Sequence, residues 1–495
     1  MPAPDVAFEL TLDPDAASRL LRLPVLAHRE GRVRTTTIAL TWYDTPDAVL
    51  AADGTGLCER RLGRETTWRL ERLRNTAETP WIPGTPPPVL AEAPSPADLG
   101  YDLPAPLLPI AGFSGRLRSA ALATEAGPVS LAVLHGTLRA VAGERPACRV
   151  LLSGPPDAVA PLALAIAETV PLSVPSASLA ADAYAVAERT MEPPALGAPE
   201  LPADITVADA FARVAGHLTW VLLHWAPFAV SGTTQEPVHQ MRVALRRLRS
   251  AVSLFRNAVG TASLDETIAA LRALMSVLGP ARDWDVFCTG TGQAVGSAFP
   301  DDRAVLRLLA AAEKVRRGAY RDLRAYLESP AYRLLGIRLA CLVALRPWEQ
   351  AQASDDAASL RAAPLADFAA RALTRRWDRV RKPTDDFAAL PVEALHALRI
   401  QSKRLRYAAE FFAPLFPRKE TRRFIRRVTL LQDRLGHLND GAVADALMAR
   451  LGHGGAERAM AIGIVRGFVA GGMRGAREKG EQSWRKLRRL DPFWE

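Results

Sequence analysis

Val238-His239-Gln240-Met241-Arg242-Val243-Ala244-Leu245-Arg246-Arg247-Leu248-Arg249 is the stretch on which the reading of this chain turns, because Leu395-His396-Ala397-Leu398-Arg399-Ile400-Gln401-Ser402-Lys403-Arg404-Leu405-Arg406 repeats its plan. In both, a histidine is followed three, seven, eight and ten residues later by a base. At about 100° per residue, His239, Arg242, Arg246 and Arg249 fall within an arc of roughly 80°, while Met241, Leu245, Leu248 and Val252 gather on the flank beside it. Such a helix buries one side and carries dense positive charge next to it.

The repeat extends beyond these helices. His239 and His396 are 157 positions apart, and the same offset carries Leu278-Gly279 onto Leu435-Gly436 and Asp283 onto Asp440. This predicts an internal duplication, with halves at about 204–345 and 360–495 related by a pseudo-twofold, so that the basic helices face one surface. Helical periodicity from Thr206 onward predicts helices over 206–229, 234–258, 264–278, 282–290, 301–327, 330–342, 364–381, 391–413, 417–435, 439–450 and 453–485. Gly279-Pro280 and Gly436 are among the predicted breaks, and Asp283 and Asp440, just past them, read as caps of the next helix.

The first part of the chain has another rhythm. Period-two alternation over 6–12, 36–42 and 67–73 predicts half-buried strands, followed by strands at 129–134, 147–152 and 182–187. Helices are predicted at 15–23 and 157–169, and the proline-rich 80–109 reads as a loop or an excursion from the sheet. Residues 191–203 have linker composition, which divides the chain into 1–190 and 204–495.

Charge follows the same division. Residues 1–195 hold 17 basic and 22 acidic side chains, a balance of −5, and the remainder holds 46 and 31, a balance of +15. The second part therefore suits an anionic partner. Cys58, Cys148, Cys288 and Cys341 are too dispersed for a disulfide frame or a zinc site and read as reduced thiols of a cytoplasmic protein. No apolar run approaches about 18 residues, and the opening lacks the pattern of a secretory signal, so neither membrane insertion nor export is expected.

Two family resemblances sharpen this. The opening strand with Asp13-Pro14, Tyr43-Asp44-Thr45-Pro46, 57–62, 67–72 and Ser153-Gly154 resemble the CYTH domain of the triphosphate tunnel family. That resemblance implies an antiparallel β-barrel whose lumen holds a triphosphate and a divalent metal. The family's opening acids and lysine fall on Ala7, Glu9 and Thr11, and its late acidic strand falls on Cys148, Val150 and Leu152. Glu9, Arg60, Arg72 and Arg118 remain as residual lumen residues, which do not rebuild a metal site. A degenerate tunnel without hydrolase activity is expected, with no catalytic residue, metal or cofactor.

The paired His-Arg helices, Leu278-Gly279 with Arg282-Asp283, Arg406-Tyr407 and Leu435-Gly436-His437-Leu438-Asn439-Asp440 resemble the CHAD domain, a conserved-histidine α-helical family. The resemblance implies an all-α domain over about 204–495 that binds inorganic polyphosphate between two helical bundles and associates with polyphosphate granules. The whole is thus a multidomain α+β chain. Repeated charge-assisted bonds suit a polyanion that has no bases to read. One wall of the expected site is His239, Arg242, Arg246, Arg247 and Arg249, and the other is His396, Arg399, Lys403, Arg404 and Arg406. Arg317, Arg321 and Arg324, with Arg375, Arg379 and Lys382, are candidate additions. A metal-dependent triphosphatase in the tunnel and a nucleic-acid binder are the alternatives; the absence of recognition-helix and RNA-type aromatic signatures weighs against the latter.

Overall fold

The computed structural model describes residues 5–27, 29–73, 89–90, 92–94, 106–189, 199, 201–202, 204–232, 234–351, 354–382, 387, 389–452, 454–472 and 475–495, without the side chains of 392 and 437–442. Most of 80–109 and of the linker 191–203 lies outside these residues.

The N-terminal part is one antiparallel sheet of nine strands: β1 (Val6–Leu12), β2 (Arg29–Asp44), β3 (Thr55–Leu62), β4 (Glu65–Arg72), β5 (Val89–Leu90), β6 (Leu108–Thr124), β7 (Gly127–Ala140), β8 (Gly143–Gly154) and β9 (Leu172–Ser173). The order is β5-β4-β3-β2-β6-β7-β8-β1-β9. Among the described residues this sheet is open, with the two-residue strands β5 and β9 at its edges, and is not the closed barrel expected. Helices cover both of its faces.

Strand alternation sorts the side chains between those faces. The longer helices are α1 (Pro156–Thr169), α2 (Leu179–Val186), α3 (Val207–Ser231), α4 (Glu236–Val259), α5 (Ala262–Val286), α6 (Arg303–Leu327), α7 (Pro330–Leu345), α8 (Leu365–Arg381), α9 (Val392–Phe412), α10 (Arg418–Arg450), α11 (Gly455–Gly472) and α12 (Ala476–Arg488). On one face Ile38, Leu40, Trp42, Phe113, Leu117 and Leu134 pack with Leu179, Ala180, Ala183 and Tyr184 of α2. The expected strand at 182–187 is this helix instead. Its alanine-rich run favours helix, and Ser178 caps it by accepting from the Ala181 N–H at 3.1 Å. On the opposite face Phe8, Leu10, Leu131, Val133, Val150 and Leu152 pack with α1 and with Leu223, Ile337 and Ala340 of the helical part.

The helical part has a core that joins both repeats. Phe255 of α4 stacks on Phe368 of α8 with centroids 5.1 Å apart and meets Phe412 of α9 at 6.1 Å. Residues of both sequence halves belong to that one cluster. Two predicted breaks are not breaks: α5 runs through Gly279-Pro280, and α10 runs through Gly436. A proline inside a helix removes one hydrogen bond, but Leu278, Ala281 and Trp284 on either side are buried and hold α5 on course. The helix loosens only at 287–292, as a π-turn. Conversely the predicted helix 453–485 is divided into α11 and α12, with Gly475 at φ +73°.

Candidate anion-binding cleft between the repeated helices

Helix α4 forms because apolar residues recur along it and bury Val238, Met241, Leu245, Leu248, Val252 and Phe255. The same pattern in α9 buries Leu395, Leu398, Leu405 and Tyr407. Docking these seams on a common core brings the flanking cationic strips together. His239, Arg242, Arg246, Arg247, Arg399, Lys403 and Arg406 are half-buried, whereas Arg249, His396 and Arg404 are exposed.

Lys403 records this convergence. Burial lowers its pKa first, and then Arg399, Arg246, Arg242 and Arg406 lower it further, to about 8. Two of those guanidiniums belong to α4 and two to α9. Burial likewise lowers His239, followed by Arg282, Arg246 and Arg242, with Glu236 opposing. Burial also lowers Arg246, and Arg242, Arg406 and Arg247 add to it while Tyr407 opposes.

Carboxylates answer some of this charge. Arg242 donates to Asp283 at 3.1 Å, Arg247 donates to Glu410 at 2.8 Å, and Arg406 stands 3.6 Å from Glu410. Asp283 is therefore a mid-helix partner of Arg242, not the cap expected; the side chain of Asp440 lies outside the described residues. Among the described residues Arg246, Arg399 and Lys403 have no carboxylate within ion-pair distance. The Nε atoms of Arg246 and Arg399 are buried without a hydrogen-bond partner. Desolvated cations left in this state are costly unless an anion joins them.

A second group lies on α8. Arg376, half-buried, is lowered to about 10 by burial and then by Arg404, Arg379 and Arg375. Arg375, Arg379 and Lys382 are themselves exposed. On α6, Arg317 and Arg321 are exposed, and Arg324 donates its Nε–H to the Val230 carbonyl at 2.9 Å. The α6 base that turns toward α5 is Arg316, which donates to the fully buried Asp285 at 3.1 Å, where the Tyr320 hydroxyl also donates at 2.7 Å.

Sequence reasoning did not select Arg376, Arg316, Arg282 or Tyr407. Arg376 was within reach, since it precedes Arg379 by three positions and shares its face. Tyr407, like Arg282, stands in the motifs that carry the family resemblance but is given no site role there.

The residual tunnel residues divide. Glu9 and Arg60 share the α2-covered face, because Glu9 pairs with Leu151 and Arg60 with Leu40 and Thr67 across the ladder. Arg72 and Arg118 do not: Arg72 is an exposed neighbour of inward Glu71, and Arg118 pairs with Val133 on the other face. Cys148, Val150 and Leu152 are on that other face too, so the inward positions of β8 are Arg149 and Leu151.

Arg149 donates to Glu9 at 3.0 Å and to Asp182, and Glu9 also accepts the Leu179 N–H at 2.7 Å. Burial raises the Glu9 carboxyl against the pull of Arg149. Burial raises Glu71 to about 7, although Trp42 donates to it at 3.0 Å.

Comparison with known proteins agrees with this geometry. The CHAD domain family model matches residues 212–449. Two uncharacterized proteins of Mycobacterium tuberculosis, from strains CDC 1551 / Oshkosh and ATCC 25618 / H37Rv, are each 32% identical over 208 residues, 41% of this chain and 39% of theirs. The chain thus spans about two fifths of the length of the curated relatives it matches.

The crystal structure of the CHAD domain from the plant Ricinus communis superposes with a TM-score of 0.50 at 27% identity, covering 61% of this chain and 99% of that one. A Hippeastrum protein with a dominant triphosphatase activity overlaps 38% of this chain and 98% of its own at 15% identity and a TM-score of 0.27, too loose to bear on the fold. No described helix is long and apolar enough to cross a membrane. With the repeated His-Arg helices packed on one core and their bases converged, residues 212–449 of this chain are a CHAD domain.

Proposed function

We propose that the cleft between α4 and α9 binds inorganic polyphosphate and that the chain does so without turning it over. The observation that carries the reading is the set Arg246, Arg399 and Lys403, half-buried cations without a carboxylate partner among the described residues. An unbranched chain of phosphates supplies negative charge at short, regular intervals and offers no base edges to recognise. Arginine forks and a lysine brought close together from two packed helices match that ligand. The 157-residue offset that equates Arg246 with Lys403 and Arg242 with Arg399 supports a pseudo-twofold cleft, one wall from each repeat.

The binding-only part of the proposal rests on the sheet. Glu9, the acid retained from the tunnel pattern, is occupied by Arg149 and by the first turn of α2. The expected site of action is the cytoplasm, at polyphosphate granules.

The test is competition at near-physiological salt of long-chain polyphosphate against RNA and DNA, with turnover assayed in Mg²⁺ and Mn²⁺. Polyphosphate should win without being hydrolysed. Arg246→Glu with Lys403→Glu should weaken binding about a hundredfold or more, given about 1.5–3 kcal/mol per charge-assisted bond. Arg32→Glu with Arg64→Glu, exposed on β2 and in the turn between β3 and β4, should change it little. Preference for RNA would overturn the ligand, and hydrolysis at enzyme-like rates would overturn the absence of turnover.

A further inference from the structure

Tyr407 is 4% exposed and follows Arg406 in α9. Two guanidiniums lie over its ring, Arg246 of α4 at 5.5 Å from the centroid and Arg406 at 5.1 Å. They differ in what else holds them. Arg406 has Glu410 at 3.6 Å, although its Nε too is buried without a hydrogen-bond partner. Arg246 has no carboxylate within ion-pair distance among the described residues, and its Nε is buried without a hydrogen-bond partner. The ring is thus the favourable contact of a cation that its surroundings otherwise oppose.

The choice of an aromatic ring matters chemically. A carboxylate at this place would accept the arginine's N–H groups and cancel its charge. An aromatic face attracts the cation through its quadrupole and accepts none of the in-plane N–H bonds. The duplication shows that this device belongs to one side only: the offset of 157 that relates the repeats carries Tyr407 onto Ser250. The Ser250 hydroxyl is turned back to the Arg246 carbonyl at 3.0 Å. Lys403, the counterpart of Arg246, therefore has no equivalent ring from the first repeat.

We infer that Tyr407 is a positioning residue of the cleft: its ring orients Arg246 while leaving that arginine's donors available to a phosphate chain. The role belongs to the ring face, not to the hydroxyl. The inference rests on the polyphosphate reading for its ligand, but the placement of Arg246 can be measured without any ligand.

The experiment uses the full chain with Tyr407→Phe, Tyr407→Leu, Arg246→Gln and the double variant Tyr407→Leu/Arg246→Gln. Long-chain polyphosphate affinity, thermal unfolding and the Nε–H resonance of Arg246, assigned by its absence in Arg246→Gln, are recorded for each. Tyr407→Phe should bind within about twofold of the parent and keep the ring-current shift. Tyr407→Leu should bind about tenfold more weakly, the size of a partly desolvated cation–π contact, and lose the shift. In the Arg246→Gln background, Tyr407→Leu should have no further effect on affinity.

Equal loss in the Phe and Leu variants would overturn the ring as the agent. A loss that persists in the Arg246→Gln background would overturn the action through Arg246, as would an unshifted Arg246 resonance in the parent. If the parent fails to bind polyphosphate, the proposed function falls, and the resonance still decides whether Tyr407 positions Arg246.

Discussion

Lys403 makes the cleft's electrostatics measurable. With its pKa near 8 in the ligand-free chain, a phosphate chain beside it raises that value. The complex then holds more protons than its parts above about pH 8, so affinity falls as pH rises through that range and binding takes protons from the buffer. Calorimetry at pH 8 in two buffers of different ionisation enthalpy reads the uptake, and Lys403→Met should remove most of it. In the ligand-free chain the sign is the reverse. The folded pKa lies below the ordinary value of 10.5, the unfolded chain binds more protons between the two, and stability therefore rises with pH across about 8 to 10.5. Lys403→Met should accordingly raise the unfolding midpoint at pH 7 while weakening polyphosphate binding. Affinity that stays level from about pH 7 to 10 in the parent would contradict this account.

The sequence revealed these bases, because a helical wheel fixes which residues share a strip. It could not reveal what stands opposite. Tyr407 under Arg246 and Arg376 beside Arg404 depend on how two helices dock, which no spacing along one helix encodes. Arg72 and Arg118 fail for the related reason on strands: alternation separates two faces but does not say which one α2 covers.

At the scale of elements, Leu278-Gly279 and Leu435-Gly436 were legible as landmarks but misleading as helix ends. Both glycines lie inside continuous helices, and each lies near an arginine of the basic strip of its own repeat. A Cβ on Gly279 would meet Arg242 Nη1 at 3.2 Å, and one on Gly436 would meet Arg399 Nε at 3.9 Å. The offset that repeats the glycines also repeats these arginines, but only at Gly279 is the approach tight. The two sites differ in tolerance. Gly436→Ala makes an ordinary contact and gains helix propensity, so it should stabilise the chain by up to about 1 kcal/mol with binding unchanged. Gly279→Val must displace the guanidinium that Asp283 holds, and should weaken polyphosphate binding several-fold. Denaturant midpoints and affinities of the two variants check both signs; matched losses of affinity would show that the glycines do not set the arginine positions.

The whole molecule is less divided than its composition suggests. A linker-like run and a charge balance that changes from −5 to +15 divide the chain into two parts. The structure lays the sheet of the first against the helices of the second through apolar side chains. Ile337 of α7 is fully buried among Leu10, Val133, Val150 and the α1 residues Val159, Ala163 and Ile166. Arg333, one turn earlier, donates to the Ala167 carbonyl at 3.4 Å. This contact escaped the sequence because α7 is apolar nearly all round, which marks burial without naming the partner. A shared core couples the unfolding of the two parts, so circular dichroism signals for strand and helix should disappear together on heating. Ile337→Asp places an unpaired carboxylate in that core, at a cost of about 3 kcal/mol or more. The two signals should then separate, while polyphosphate affinity measured well below the first transition is retained, because neither α4 nor α9 supplies a side chain to that cluster. A variant that still unfolds in one step at the parent's midpoint would show that the two parts do not depend on this interface.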